Sequence, residues 1–120
     1  MPVRALRGAT TVDRDEPDHI ADRVVALLRE MLDRNGVRHD DLISILFTAT
    51  DDIHSTFPAT AARTVGLGDV PLICARELDI NTGTKMCIRV MAHLESDRSR
   101  ADLRHVYLEG ATGLRDDLPG

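Results

Sequence analysis

Tryptophan is absent from this 120-residue chain, and Phe47, Phe57 and Tyr107 are its only aromatic residues. The core must therefore be aliphatic, and an aromatic beside polar residues becomes a candidate for a site. Cysteine is also scarce. Cys74 and Cys87 have neither CxxC spacing nor a cysteine-rich context, so a structural disulfide is not expected and a reduced compartment is. No segment approaches the length of a membrane span. Met1-Pro2-Val3-Arg4 leads into a strand-like segment without the apolar stretch of a signal peptide. A cytoplasmic protein with no membrane contact is the expectation.

A basic stripe is missing as well. The formal net charge is −5, with acidic residues spread along the chain, which argues against a nucleic-acid binder. A small anionic ligand is still allowed, because a local arginine cluster can set the potential of one cleft. The established catalytic motifs are absent too: no GxSxG elbow, HExxH pair, P-loop or Rossmann fingerprint. His19, His39, His54, His93 and His105 lack metal-type spacing. Cys74 has no base near it in sequence, and a buried cysteine is commonly just a small apolar residue. An enzyme built from this chain would need no metal, no cofactor and no covalent intermediate.

What is present fits one domain over residues 1–120, with 42% hydrophobic and 29% charged residues. A chain of this length buries roughly two-thirds of its unfolded surface. Residues 3–9 read as a strand with Val3, Ala5, Arg7 and Ala9 on one face. Asp15-Glu16-Pro17 starts a helix, since proline suits the first turn and acids suit the positive end of the dipole. Ile20, Val24, Leu27, Leu28, Met31 and Leu32 then form one apolar stripe, and Asn35-Gly36 stops it. Residues 42–49 are apolar enough for a central strand. A short helix runs from Pro58 to Gly66. Val70–Cys74 reads as a strand, placed at an edge by Pro71, and Asn81-Thr82-Gly83 as a turn. A long strand from Met86 to Leu94 and a short one at Val106–Leu108 complete the chain. This order predicts an α+β fold, a mixed sheet with helices on one face.

Two arginines stand out by position. Arg7 shares its strand face with apolar neighbours, where a charge is costly unless paired or met by an anion. Arg89 lies mid-strand with Cys87 and Met91, opposite the apolar face of Met86, Ile88, Val90, Ala92 and Leu94. Solvent exposure or structural ion pairing would account for Arg7 as simply as an anion site, and for Arg89 more simply. Arg63 on the short helix and Arg115 in the polar tail read as solvated residues by pattern alone. Glu77 would face the cavity of Cys74 across a helical turn or tight bend, or else sit at the surface beside Arg76. Tyr107 fits the edge of a core.

Five segments in order resemble the AroH-type chorismate mutases: Arg4-Ala5-Leu6-Arg7-Gly8-Ala9-Thr10-Thr11; Phe57-Pro58-Ala59 with Arg63; Cys74-Ala75-Arg76-Glu77-Leu78-Asp79; Lys85-Met86-Cys87-Ile88-Arg89-Val90-Met91; and Arg104-His105-Val106-Tyr107-Leu108. Each is a weak signal alone, but five in order over one short chain are specific. The resemblance implies a single chorismate mutase domain, a homotrimer with a pseudo α/β-barrel core, and active sites at subunit interfaces. The reaction it implies is the intramolecular Claisen rearrangement of chorismate to prephenate, an isomerase step of aromatic amino acid biosynthesis.

By position the resemblance gives Arg89 the ether oxygen of the breaking C–O bond, and Arg7 and Tyr107 a substrate carboxylate. Glu77 with Cys74 would meet the ring hydroxyl and the electron-poor side of the ring. Phe57 would line the pocket, with Arg63, Leu114 and Arg115 near its mouth. Thr60 stands where relatives can carry a lysine, so weaker capture of the dianion is expected rather than weaker chemistry. Two other readings share the Arg7 pocket: a trimeric enamine/imine deaminase, which would have no use for Glu77 beside Cys74, and a non-catalytic binder of an anionic metabolite.

Overall fold

The structure is a computed structural model and describes residues 1–114. Its largest helix, α1 (Pro17–Arg34), begins with proline in the first turn and Asp18 near the positive end of the dipole. Ile20, Val24, Leu27, Leu28 and Met31 are buried along one stripe. Asn35 ends the helix, followed by Gly36 at φ 60°, a left-handed conformation that glycine adopts without steric penalty. Asn35 is itself buried, and its polar atoms are satisfied. Its Nδ2 donates to the carbonyls of Met31 and Arg104 at 2.8 Å each, and its Oδ1 accepts the Arg104 N–H at 2.7 Å. The helix end is thereby tied to the backbone just ahead of the last strand.

Five strands form one mixed sheet: β1 (Val3–Thr11), β2 (Leu42–Ala49), β3 (Leu72–Arg76), β4 (Cys87–Glu95) and β5 (Val106–Tyr107), in the order β3-β2-β4-β1-β5. β4 is central and antiparallel to both β1 and β2, while the outer pairs β2·β3 and β1·β5 are parallel. The short α2 (Ala59–Thr64) and α1 cover one face, where Leu6, Ile45, Phe47, Ile88, Val90, Ala92 and Leu94 join the helix stripe in one core. The α+β architecture with helices on a single face is as the sequence predicts. No helix among the described residues is long and apolar enough to cross a membrane.

Several boundaries differ from the pattern: β1 runs on to Thr11 and β5 stops at Tyr107, and two others have a clear physical cause. The strand expected at 70–74 runs instead from Leu72 to Arg76. The Val70 N–H closes a turn onto the Leu67 carbonyl at 3.1 Å, and its side chain is buried as part of the core. Val70 is therefore apolar for packing, not for strand formation. β4 starts after Met86, which sits at φ 48° with its N–H held by Asp52 Oδ2 at 3.0 Å.

Gly8 marks where the helix lies closest to the sheet. A Cβ there would overlap Met31 Sδ and come within 3.1 Å of Leu27 Cδ1. Gly8→Ala should accordingly lower stability by about 1–3 kcal/mol, the usual cost of overpacking. Urea denaturation midpoints at unchanged m-value would measure it.

Candidate active site

The unhelical face of the sheet collects the polar residues. In β4 the core-facing Ile88, Val90, Ala92 and Leu94 alternate with Cys87, Arg89 and Met91 on the other face. Register places Arg89 between Ala9 and Thr48, and Met91 between Arg7 and Leu46. Parallel pairing sets Tyr107 beside Ala9. Cross-strand partners share a face, so three strands far apart in sequence bring Arg7, Arg89 and Tyr107 to the same side.

Arg89 is only 29% exposed, and its Nε lies 3.4 Å from Glu77 Oε2. That distance makes an ion pair, but the geometry is not a hydrogen bond, and Nε is buried without an acceptor. Glu77 is more firmly held. Thr48 Oγ1 donates to its Oε2 at 2.8 Å, the Leu78 N–H to its Oε1 at 3.2 Å, and its own N–H to the Ala49 carbonyl at 3.0 Å. Arg7, Leu46, Thr48, Glu77, Arg89, Val90 and Met91 line a hollow of about 210 Å³.

The Tyr107 hydroxyl is likewise buried without a hydrogen-bond partner. Its ring packs with Leu114 against Ala9, Cys87 and Ala111. A desolvated donor without an acceptor costs about 1–3 kcal/mol, and more if charged. Two such donors on one face suit a ligand with anionic or strongly accepting oxygens. Burial pushes the Cys87 thiol up from its ordinary value, offset in part by a hydrogen bond from Arg89.

Phe57 and Cys74 lie elsewhere. Phe57 is 69% exposed. With half-buried Cys74, and with Ala49, His54 and Arg76, it lines a separate hollow of about 750 Å³. The expectation that Cys74 and Glu77 face one cavity does not hold within a chain. β3 continues extended through Arg76, and residues three apart along an extended segment point to opposite faces. Cys74 packs against the helical core, whereas Glu77 turns to Arg89.

Arg63 is exposed on α2, its stem against Gly68, and lines neither hollow. Leu114 is half-buried beside Tyr107, and Arg115 lies outside the described residues. Sequence reasoning missed Thr48, which holds Glu77 from β2; strand alternation put it on the face opposite Phe47. It also missed the bidentate pair between Arg76 and Asp51, at 2.5 and 2.7 Å, which lowers the Asp51 pKa.

Comparison with known proteins gives a consistent picture. The family model described as chorismate mutase type I matches residues 3–118. The chain is 41% identical over 119 residues to the chorismate mutase AroH of Bacillus subtilis, covering 98% of this chain and 94% of that protein. It is 43% identical over 117 residues to the Thermus thermophilus chorismate mutase AroH, covering 97% and 96% respectively. Among solved structures, a chorismate mutase from Clostridium thermocellum superposes with a TM-score of 0.88 at 45% identity, covering 90% of this chain and 96% of that one.

The raised Cys87 pKa and its burial have a direct chemical consequence, since the thiolate is the species that alkylates. Iodoacetamide at neutral pH should spare Cys87 in the native protein and modify it once the chain is unfolded in guanidinium. Mass mapping would show this; native Cys87 reacting as fast as a free thiol would contradict the site geometry.

Proposed function

The chain belongs to the type I chorismate mutases, isomerases that convert chorismate to prephenate, and from that premise we propose how its own residues carry the reaction. Family membership decides between the rearrangement and the two other readings of the arginine pattern, deaminase and passive binder. In the rearrangement the ether C–O bond breaks as a C–C bond forms within one molecule, and no proton moves. Negative charge gathers on the ether oxygen as the C–O bond stretches.

Arg89 is the residue we assign to meet that charge. The observation that carries this reading is its half-buried guanidinium, close to Glu77 and with a buried Nε that has no acceptor. A rigid donor aimed at developing charge contributes about 3 kcal/mol. A ~10⁶-fold acceleration needs about 8 kcal/mol, so orientation of the compact conformer supplies the remainder. Arg7 and the Tyr107 hydroxyl take a carboxylate, and Glu77 accepts from the ring hydroxyl.

Cys74, Phe57 and Arg63 complete the pocket from a second copy of the chain. Within one subunit Phe57 and Cys74 lie in a hollow separate from the Arg89 face, so a site using both sets needs two subunits. Leu114 beside Tyr107 then stands at the mouth, while Arg115, outside the described residues, is assigned there by the resemblance alone. Association is also favoured by the open sheet face. Val3, Leu46 and Ile73 are 60%, 36% and 64% exposed there, and a further hollow of about 750 Å³ includes Ala5, Met91 and His93. Exposed apolar surface of this extent marks an interaction site. The proposed assembly is a homotrimer with a barrel-like core, each chain a single catalytic domain working in the cytoplasm without metal or cofactor.

Sedimentation equilibrium at micromolar concentration should return about three chain masses; a monomer that turns over chorismate at the full rate would overturn the shared site. Arg89→Ala should lower kcat for chorismate by ~10²–10³ with KM changed comparatively little, because the contact is made as the bond stretches. Arg89→Lys keeps the charge without the planar fork and should restore only part of the rate. A rise in KM alone would make Arg89 a binding residue.

A further inference from the structure

Phe57 has little of its own chain to hold it. Its ring is 69% exposed, so its direction is set by the backbone of the loop between β2 and α2 rather than by packing. Arg76 clamps the start of that loop through Asp51, and the segment just ahead of Phe57 is held by a second side chain. Asp15, between β1 and α1, accepts the His54 N–H on Oδ2 at 2.9 Å and the Ser55 N–H on Oδ1 at 3.0 Å.

Both carboxylate oxygens are thus spent on consecutive backbone amides about forty positions away, two and three residues ahead of Phe57. The Asp15 carboxyl is held below its ordinary value, first by a hydrogen bond from the Ser55 side chain. The anchor is itself braced. The Asp13 N–H donates to His19 Nε2 at 2.9 Å, and Arg14 Nε to Glu16 Oε2 at 2.8 Å. On the other side of Phe57 its carbonyl accepts the Thr60 N–H at 3.0 Å, so α2 begins from the same point.

We propose that Asp15 is a positioning residue for the reaction, fixing the loop that presents Phe57 to the substrate pocket. The inference rests on the assignment of Phe57 to that pocket. Charge-assisted hydrogen bonds to a carboxylate are stronger than neutral ones, and a loop that carries a binding ring gains by being held before substrate arrives. Asp15 touches no reacting atom, so it acts on substrate capture rather than on bond breaking.

Asp15→Asn tests this with little change of shape, since it swaps one acceptor oxygen for a donor facing an N–H. KM for chorismate should rise ~3–10-fold while kcat stays within about twofold. In a Phe57→Ala background the same substitution should leave KM unchanged, because residues acting through one contact are not additive. Hydrogen exchange at the His54 and Ser55 amides should quicken in Asp15→Asn. A purely structural role would instead lower kcat or thermal stability equally in both backgrounds and overturn the proposal with the Phe57 assignment intact. Should Phe57→Ala itself leave KM unaltered, the proposal falls with that assignment.

Discussion

Arg89 imposes its requirements on the residues around it. A guanidinium half-buried on a sheet face is costly unless its charge is met and its geometry fixed. Glu77 meets the charge at 3.4 Å, and Glu77 is oriented in turn by the Thr48 hydroxyl and the Leu78 amide. Arg76, the residue before it, is clamped by both oxygens of Asp51. The acid therefore sits on a strand end that cannot easily swing away. Because the ion pair lacks a good hydrogen bond, the pairing neutralises Arg89 without exhausting its donors, which is the condition a binding cation has to satisfy.

The sheet separates the aliphatic core from the candidate site by face. The helical side carries the aliphatic core that holds the fold. The other side carries Arg7, Arg89, Tyr107 and Glu77, with open apolar surface between and beyond them. Alternation along each strand makes this division sharp, so a substitution disturbs one function or the other according to the parity of its position. Asn35 is an instructive crossing point. It belongs to the helix, yet its hydrogen bonds to Arg104 set the approach of the strand that carries Tyr107.

Much of this was legible in the sequence because it depends on local pattern. The stripe from Ile20 to Met31 and the proline at its start gave α1. The run from Leu42 to Ala49 gave β2 to the residue. Arg89 drew attention because it broke the parity of a strand whose other face was wholly apolar. Strand neighbours were not legible, since which strands lie side by side depends on pairings remote in sequence. The β3 boundary misled because Val70 is buried for tertiary reasons, and because the chain stays extended through Arg76 instead of bending after Cys74, which puts Cys74 and Glu77 on opposite faces. Asp15 read only as an acid at a helix start; its partners are backbone amides, which carry no sequence signature. The order of five weak segments supplied the chemistry that pattern alone left open.

The place of β4 has a consequence for how the chain is made. It is the hub of the sheet, bonded to β1 on one side and β2 on the other, yet it is almost the last strand in sequence. As the polypeptide leaves the ribosome, β2, α2 and β3 can meet early, but β1 has only β4 and β5 to pair with and must wait for both. Until β4 has emerged, the first strand of the protein has no strand partner and only its own helix beside it. Long-range pairing of this kind is slow and leaves strand edges open to other chains. The first strand to be made is thus among the last to be paired.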